Sequence, residues 1–395
     1  METRPLSAKD KLLLVLPVAA MFLLLGTNIG TWASRMADIR QNMQISEAQL
    51  GFFLLATSIG AISAYPVTAW FLRTLGGRKT AITLGLFAAL NLPLLLNNTS
   101  YPLGIALMFL EGMCCAGING AMNTCGGDVE RQHGFKCLAM LHAAFSLGIA
   151  LASVISMGFI HLVSAALLPF SLSVGGLLLV LVGVIYTLAP RQDDRHQRDP
   201  NQPKPKEALS RHVLLLGGIV LCATIVEGAM HDWSAIYMQQ VIGVRPDMVP
   251  AAILTFSVSM FVGRMFVDKL RARVADMVLI GCAGLAVWVV LSLGVMISGF
   301  GVTLVTFCLL GLVTSVISPS IYAVASGIGP RCLSFIATCG SVGGMVGPPL
   351  IGAIASYSVL TTGMYFVAAN GLVIGIIAMS LSASRRPISA WSIKA

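Results

Sequence analysis

Long apolar runs recur along the whole chain, separated by short polar or glycine-bearing stretches. A run of about twenty such residues crosses the hydrocarbon core of a bilayer as a helix. The pattern predicts twelve spans, near 11–34, 48–72, 79–97, 102–127, 137–160, 165–189, 212–238, 249–267, 275–297, 300–325, 332–356 and 359–382. Two pairs are divided only by Asn97–Tyr101 and by Ser298–Phe300. The longest polar stretch, Ala189 to Arg211, is rich in charge and carries Pro200, Pro203 and Pro205. Such a segment cannot pack a core and reads as a flexible linker. The expected organisation is an all-α membrane protein with a six-helix bundle at 1–189, a linker at 190–211 and a second six-helix bundle at 212–395.

Composition agrees with that pattern. Of 395 residues, 56% are hydrophobic and only 10% charged, where a soluble domain carries about 25% charged residues. The net charge of +9 raises the thought of a nucleic-acid partner, but its placement argues for topology instead. With both termini inside, every Lys and Arg except Arg35, Arg40 and Arg245 falls on the inner side, as the positive-inside rule requires. Moving one span in or out of the count scrambles the alternation. Met1 to Lys11 leads straight into the first apolar run without a small-residue cleavage site, so that run reads as a retained helix. Short loops suggest a bacterial inner membrane; both termini are expected to be cytoplasmic from the charge placement, and the expected partners are lipid, protons and a small-molecule solute, with a monomer expected.

Nine cysteines stand in apolar runs without CxxC or Cys/His zinc spacing, so neither metal nor cofactor is expected. No GxxxxGK[ST] signature is present. An enzyme would need a clustered nucleophile and base, which the separated His142, His231 and cysteines do not form. Ion gradients remain as the energy source for moving a small molecule.

An ionisable side chain within hydrocarbon is costly and marks function by default. Glu111 in the fourth span and Glu227 in the seventh are the acidic residues that lie well inside a span. Glu111 is the first candidate for coupling to protons, because a buried carboxyl can be charged or neutral according to the side it faces. Glu227 is the second, and His142, one turn into the fifth span, could relay protons. Each has a plainer reading as a group that ties helices together. Asn119 and Asn123 share a face of the fourth span and could bond solute hydroxyls or a neighbouring helix. In the seventh span Glu227 and His231 share a helical face, while Asp232 points about 140° away. A break at Gly228 would bring Asp232 and Trp233 toward the same cavity; otherwise those two form an interfacial belt. Asn28, Thr31 and Arg35 make a polar stripe on the first span that could line a pathway.

The halves echo each other. Arg73-Thr74-Leu75-Gly76-Gly77-Arg78-Lys79 follows the second span, and Gly263-Arg264-Met265-Phe266-Val267-Asp268-Lys269-Leu270-Arg271 follows the eighth. Both read as short basic inner loops. Twelve spans, a long central loop and these paired loops resemble the major facilitator superfamily over essentially the whole chain. Finer matches resemble its fucose-permease-like and rhizopine-transporter-like members: Trp32-Ala33-Ser34-Arg35, Ile39-Arg40, Gln49-Leu50-Gly51, Val129-Glu130-Arg131, Leu141-His142 with Phe145-Ser146-Leu147-Gly148, and Glu227-Gly228-Ala229 with Asp232-Trp233. The resemblance implies alternating access between two halves, a sugar- or polyol-like solute, and proton symport through the span-four glutamate, here Glu111. It also implies gating by the paired loops, at Arg73, Gly76, Arg78 and Lys79 and at Gly263, Arg264, Asp268 and Lys269. Thr74 stands where the family has an aspartate in the first loop. Span five lacks the glycine-proline motif typical of proton-driven drug exporters, although an antiporter that exports a metabolite or drug stays open as the alternative.

Overall fold

A computed structural model describes residues 8–133, 135, 137–163, 166–188, 207–208, 210–383 and 393–394. The expected linker lies almost wholly outside the described residues. The chain is built from helices: α1 (Ala8–Ser34), α2 (Met36–Met43), α3 (Glu47–Asn97), α4 (Tyr101–His133), α5 (Leu138–Leu162), α6 (Leu167–Leu188), α7 (Arg211–Asp232), α8 (Ser234–Tyr237), α9 (Ala251–Arg271), α10 (Asp276–Ile297), α11 (Phe300–Thr314), α12 (Ile317–Ile328), α13 (Pro330–Tyr357) and α14 (Leu360–Ser382). Glu207–Ala208 and Ile393–Lys394 form a two-residue antiparallel pairing.

Among the described residues eleven helical stretches are long and apolar enough to cross a membrane, and α3 supplies the twelfth crossing. A straight helix of its 51 residues would run about 77 Å at about 1.5 Å per residue, more than twice a bilayer core of about 30 Å. It folds back at Gly76, whose φ of 76° and ψ of 166° are non-helical. A positive φ of this kind suits a residue without Cβ. Both arms then flank α4: a Cβ on Gly117 would contact Leu84 of one arm and Thr68 of the other. The hydrophobic pattern therefore yields twelve crossings in two six-helix bundles, α1–α6 and α7–α14.

Local chemistry sets several boundaries. Ser46 and Gln49 form a reciprocal capping box at the start of α3, and the Ser210 hydroxyl accepts from the Val213 amide to open α7. Gly299 (φ 99°) starts α11 after the short turn that the apolar pattern predicts between spans nine and ten. Two expectations change. Residues 263–271 continue α9 rather than forming a loop, because Gly263 packs against Ser315 and the apolar run Met265–Val267 holds the helix in register. Residues 73–79 are likewise helical apart from Gly76.

We call the side holding the start of α1 and the end of α14 the terminal face, and the opposite side the far face. One apolar core runs through α1–α6 and on into the far-face parts of the other bundle, including Val226, Trp233, Phe256 and Ile351. A second core, with Leu216, Ile280, Ile321 and Ile336, stays within the terminal-face part of the second bundle. The bundles are thus joined toward the far face. Close helix approach makes the joint: Gly51 of α3 lies against Pro348, Pro349 and Gly352 of α13.

Within the first bundle the same device holds α3 to α4, where a Cβ on Gly112 would drive into the Thr57 carbonyl. Gly112→Val should therefore lower the unfolding temperature in detergent by an overpacking cost of about 1–3 kcal/mol. Gly183→Ala, with open space around it, should hold or raise the temperature, since alanine gains up to about 1 kcal/mol in a helix. Equal effects would contradict the packing described.

Candidate functional site

Glu111 of α4 is fully buried in the first bundle. Asn91 of the second α3 arm donates to its Oε2 at 2.8 Å, Asn28 of α1 donates to Oε1, and the Cys115 thiol lies 3.5 Å from Oε1. Asn91 also donates to the Leu107 carbonyl at 3.2 Å. Three helices therefore converge on one carboxyl, each through a donor. The arrangement suits an acceptor-only carboxylate, and it answers the rule that buried polar groups find partners.

The polar stripe of α1 turns inward rather than onto an open surface. Asn28, Thr31 and Arg35 are each fully buried. The Thr31 hydroxyl donates to the Thr27 carbonyl at 2.6 Å. Arg35 pairs with Asp38 at 2.8 Å and lies over the Phe170 ring, 5.0 Å from its centroid. Burial pushes the Asp38 carboxyl up from the usual carboxylate range, and Arg35 offsets part of that. On α4, Asn123 donates to the Asn119 side chain at 2.7 Å, so these amides partly satisfy one another.

A second polar group sits at the seam between the bundles. Arg264 of α9 donates to the Ser146 hydroxyl of α5 at 2.7 Å and to Glu227 of α7 at 3.3 Å. Nothing in the sequence distinguishes Arg264 from the basic residues that follow it; its side chain turns into the seam, 14% exposed, while Glu227 is 25% exposed. His142 of α5 and His231 of α7 lie close enough to feel both charges, and Tyr322 of α12 feels Glu227. Each histidine meets an aromatic ring edge-on, His142 on Phe22 at 5.0 Å and His231 on Phe256 at 5.3 Å.

Elsewhere along the seam the bundles are stitched by polar contacts. Ser58 donates to the Gly344 carbonyl at 3.2 Å, Tyr65 and Ser341 are 3.2 Å apart, and the Ala48 amide donates to Ser356 at 2.9 Å. Glu47 accepts from Arg40 at 2.7 Å and from Gln240 of the other bundle at 3.2 Å. Asp247, bound by Arg245 at 2.7 Å, lies 3.4 Å from His161.

Other expected positions fall elsewhere. α7 is continuous through Gly228 and ends at Asp232, with the chain turning at Trp233 (φ −111°), so the break is one turn later than expected. Trp233 is fully buried and belongs to the core rather than an interfacial belt. Among the described residues Arg73 bonds the Ala69 carbonyl within its own helix, at 3.2 Å. Arg78 donates to the Tyr186 carbonyl and lies over that ring at 5.4 Å, tying the Gly76 turn to α6, while Lys79 is exposed. Lys269 lies over Phe266 at 5.8 Å; the Asp268 side chain is outside the described residues. No metal-binding group of His, Cys, Asp or Glu occurs among the described residues. Neither charge nor helical striping singles out Asn91 or Ser146; a lone amide inside an apolar run is the signal the sequence offers for Asn91, and Ser146 falls in the Phe145-Ser146-Leu147-Gly148 family match.

Residues 18–331 match the family model described as Major Facilitator Superfamily. Membrane protein MosC of Rhizobium meliloti is 25% identical over 372 residues, covering 92% of this chain and 89% of that one. An uncharacterised MFS-type transporter of Yersinia pestis is 26% identical, covering 93% and 94%. An uncharacterised transporter of Sinorhizobium fredii is 28% identical, covering 65% and 67%. Among solved structures, the nucleoside transporter NupG matches with a TM-score of 0.74 at 12% identity, covering 93% of this chain and 99% of that one. A bacterial homologue of the lysosomal transporter Spinster matches with a TM-score of 0.68 at 13% identity, covering 93% and 96%. The last two likenesses speak to fold alone.

The cage around Glu111 makes a stability prediction. Asn91→Ala leaves Oε2 without a donor and should cost about 1–3 kcal/mol, read as a lowered unfolding temperature. Asn123→Ala, whose bonds stay within one helix, should cost under about 0.5 kcal/mol. A neutral Asn91→Ala would refute the cage.

Proposed function

The chain belongs to the Major Facilitator Superfamily and is a multi-pass membrane transporter; from that premise we propose that it carries a small polar solute, sugar- or polyol-like, into the cell by alternating access with proton symport. In this reading it lies in a bacterial inner membrane with both termini cytoplasmic. Units 1–189 and 212–395 rock about the seam, joined by the linker at 190–211.

The observation that carries the reading is the Arg264–Glu227–Ser146 group, charged and hydroxylic, held between the bundles where a solute passing from face to face must travel. Transporters built of two related halves bind solute near the midplane between them. Glu227, Arg264 and Ser146 are assigned to the solute, with His142, His231, Asp232, Asn119 and Asn123 along its path. Sugar-like chemistry follows from the likeness of short motifs and is an analogy; the mixed hydroxyl, amide and charged lining suits it.

Glu111 and Glu227 are assigned together to proton coupling, Glu111 inside the first bundle and Glu227 at the seam. The donors to Glu111 come from α1, α3 and α4, so a change of charge there alters how three helices hold together. This is the differential interaction that a ligand-driven shift between two states requires. Asn28 joins that switch, whereas Thr31 and Arg35 brace it from the same helix. The Gly76 turn with Arg73, Arg78 and Lys79, and the end of α9 with Gly263, Asp268 and Lys269, are assigned to opening and closing at the terminal face. Trp233 anchors the far-face end of α7.

Uptake by proteoliposomes tests the assignment. A sugar or polyol should accumulate faster when the outside is acid, and Glu111→Gln should lose that acceleration while retaining exchange without a gradient. Movement confined to lipophilic cations would favour an exporter, and acceleration that survives Glu111→Gln would remove Glu111 from coupling. The far-face joint gives a further prediction. Ala48→Cys with Ser356→Cys should cross-link on oxidation and stop transport, and reductant should restore it. Cross-linked protein that still transports would contradict rocking at this joint.

A further inference from the structure

Arg264 fixes the charge of whatever can occupy the seam. A guanidinium offers five N–H donors, and the bonds of Arg264 go to Ser146 and Glu227. The remaining donors have no protein acceptor among the described residues. The contact with Glu227 is single and, at 3.3 Å, longer than the roughly 2.7–2.9 Å of charge-assisted bonds. Planar, two-pronged pairing is what an arginine does best with a carboxylate, and Glu227 does not supply it. Both partners keep accessible surface, so the bond is one that a competing carboxylate can reach and replace. Ser146 accepts from Nη1 and keeps its own O–H to donate.

Taking the seam as the solute site, as above, we propose that it binds a hydroxylated monocarboxylate, whose carboxylate displaces Glu227 from Arg264 while Glu227 takes up the co-transported proton. The charges balance. In the empty site Arg264 and Glu227 cancel. In the loaded site Arg264 and the solute cancel, and Glu227 is neutral. Either half-loaded form leaves one unpaired charge within the membrane, which is strongly unfavourable. The empty and fully loaded states are therefore able to reorient and the half-loaded ones are not, which makes the coupling obligatory. A neutral polyol leaves the Arg264–Glu227 bond intact and gains nothing from it. A cationic solute meets Arg264 directly.

The titratable and charged groups near Glu227 are His142 on α5, His231 on α7, Arg264 on α9, Tyr322 on α12 and, beside Tyr322, Tyr65 on α3. Arg264 is the one among them bonded to Glu227. The exchange of partners is accordingly between Arg264 and Glu227.

Binding to the purified full-length protein tests this with matched probes: gluconate and galacturonate against sorbitol and galactose, each at about pH 5.5 and about pH 8. The carboxylates should bind, at least about tenfold more tightly at the lower pH. Glu227→Gln, which mimics the protonated form, should bind them equally at both. Arg264→Lys should lose about tenfold or more, and Arg264→Gln should lose binding. The double variant Glu227→Gln/Arg264→Gln removes both charges together; it should unfold near the wild-type temperature and still bind neither carboxylate. Binding of the neutral probes alone would overturn the carboxylate site and leave the sugar-transport reading standing. Binding of neither set, with lipophilic cations bound instead, would overturn both. Carboxylate binding unchanged in Arg264→Gln would also overturn the proposal.

Discussion

A polar group carried into hydrocarbon must find its partner inside the protein, and an unpaired charge there is more costly still. That constraint shapes this molecule more than any other. The chain is poor in charge, and the charges it takes inside are gathered rather than scattered. Glu111 sits where α1, α3 and α4 meet, served by Asn28, Asn91 and Cys115. Glu227 and Arg264 sit where the bundles meet. The first group is sealed within one bundle, where three helices meet on it. The second spans two bundles, keeps accessible surface and can exchange partners. The same physical rule thus gathers polar groups inside one bundle and across the seam between the two.

Apolar packing and neutral polar contacts account for how the two bundles are held to each other. Without a hydrophobic drive between helices in lipid, association depends on close approach and on polar contacts. Gly51 against Pro349 and Gly352 gives the approach, and Ser58, Tyr65 and Ala48 give the contacts across α3 and α13. These bonds involve neutral groups, individually modest and easily remade. The shared core lies toward the far face, and the second bundle keeps its own core toward the terminal face.

Much of the fold is legible in the sequence because a bilayer demands long apolar runs, and a water-soluble chain has little use for so many of them. The expected spans at 275–297, 300–325 and 359–382 fall within a few residues of α10, α11–α12 and α14. The turn at Gly76 is visible as a glycine pair between basic residues. The sites are less legible, because a one-dimensional pattern gives a residue's spacing but not the direction in which its helix faces. By position Arg264 groups with Lys269, Arg271 and Arg273 as loop charge, yet a longer α9 turns it into the seam. Asn28, Thr31 and Arg35 do form a stripe, but it faces the bundle interior. Asn91 has no periodic partner in its own helix; its partner is on α4. Gly228 leaves α7 unbroken because nothing there competes with its ladder, and the chain turns instead at Trp233.

The central claim is that the bundles rock about a seam that holds the solute. Spin labels test it most directly, with one pair at Leu162 and Met296 on the far face and another at Leu188 and Leu270 on the terminal face, all exposed positions. Distances within each pair are measured by double electron–electron resonance in lipid, with and without a bound solute. The account predicts opposite changes: a longer far-face distance accompanied by a shorter terminal-face distance. Distances that stay fixed under every solute and pH, or that change together in the same direction, would contradict it.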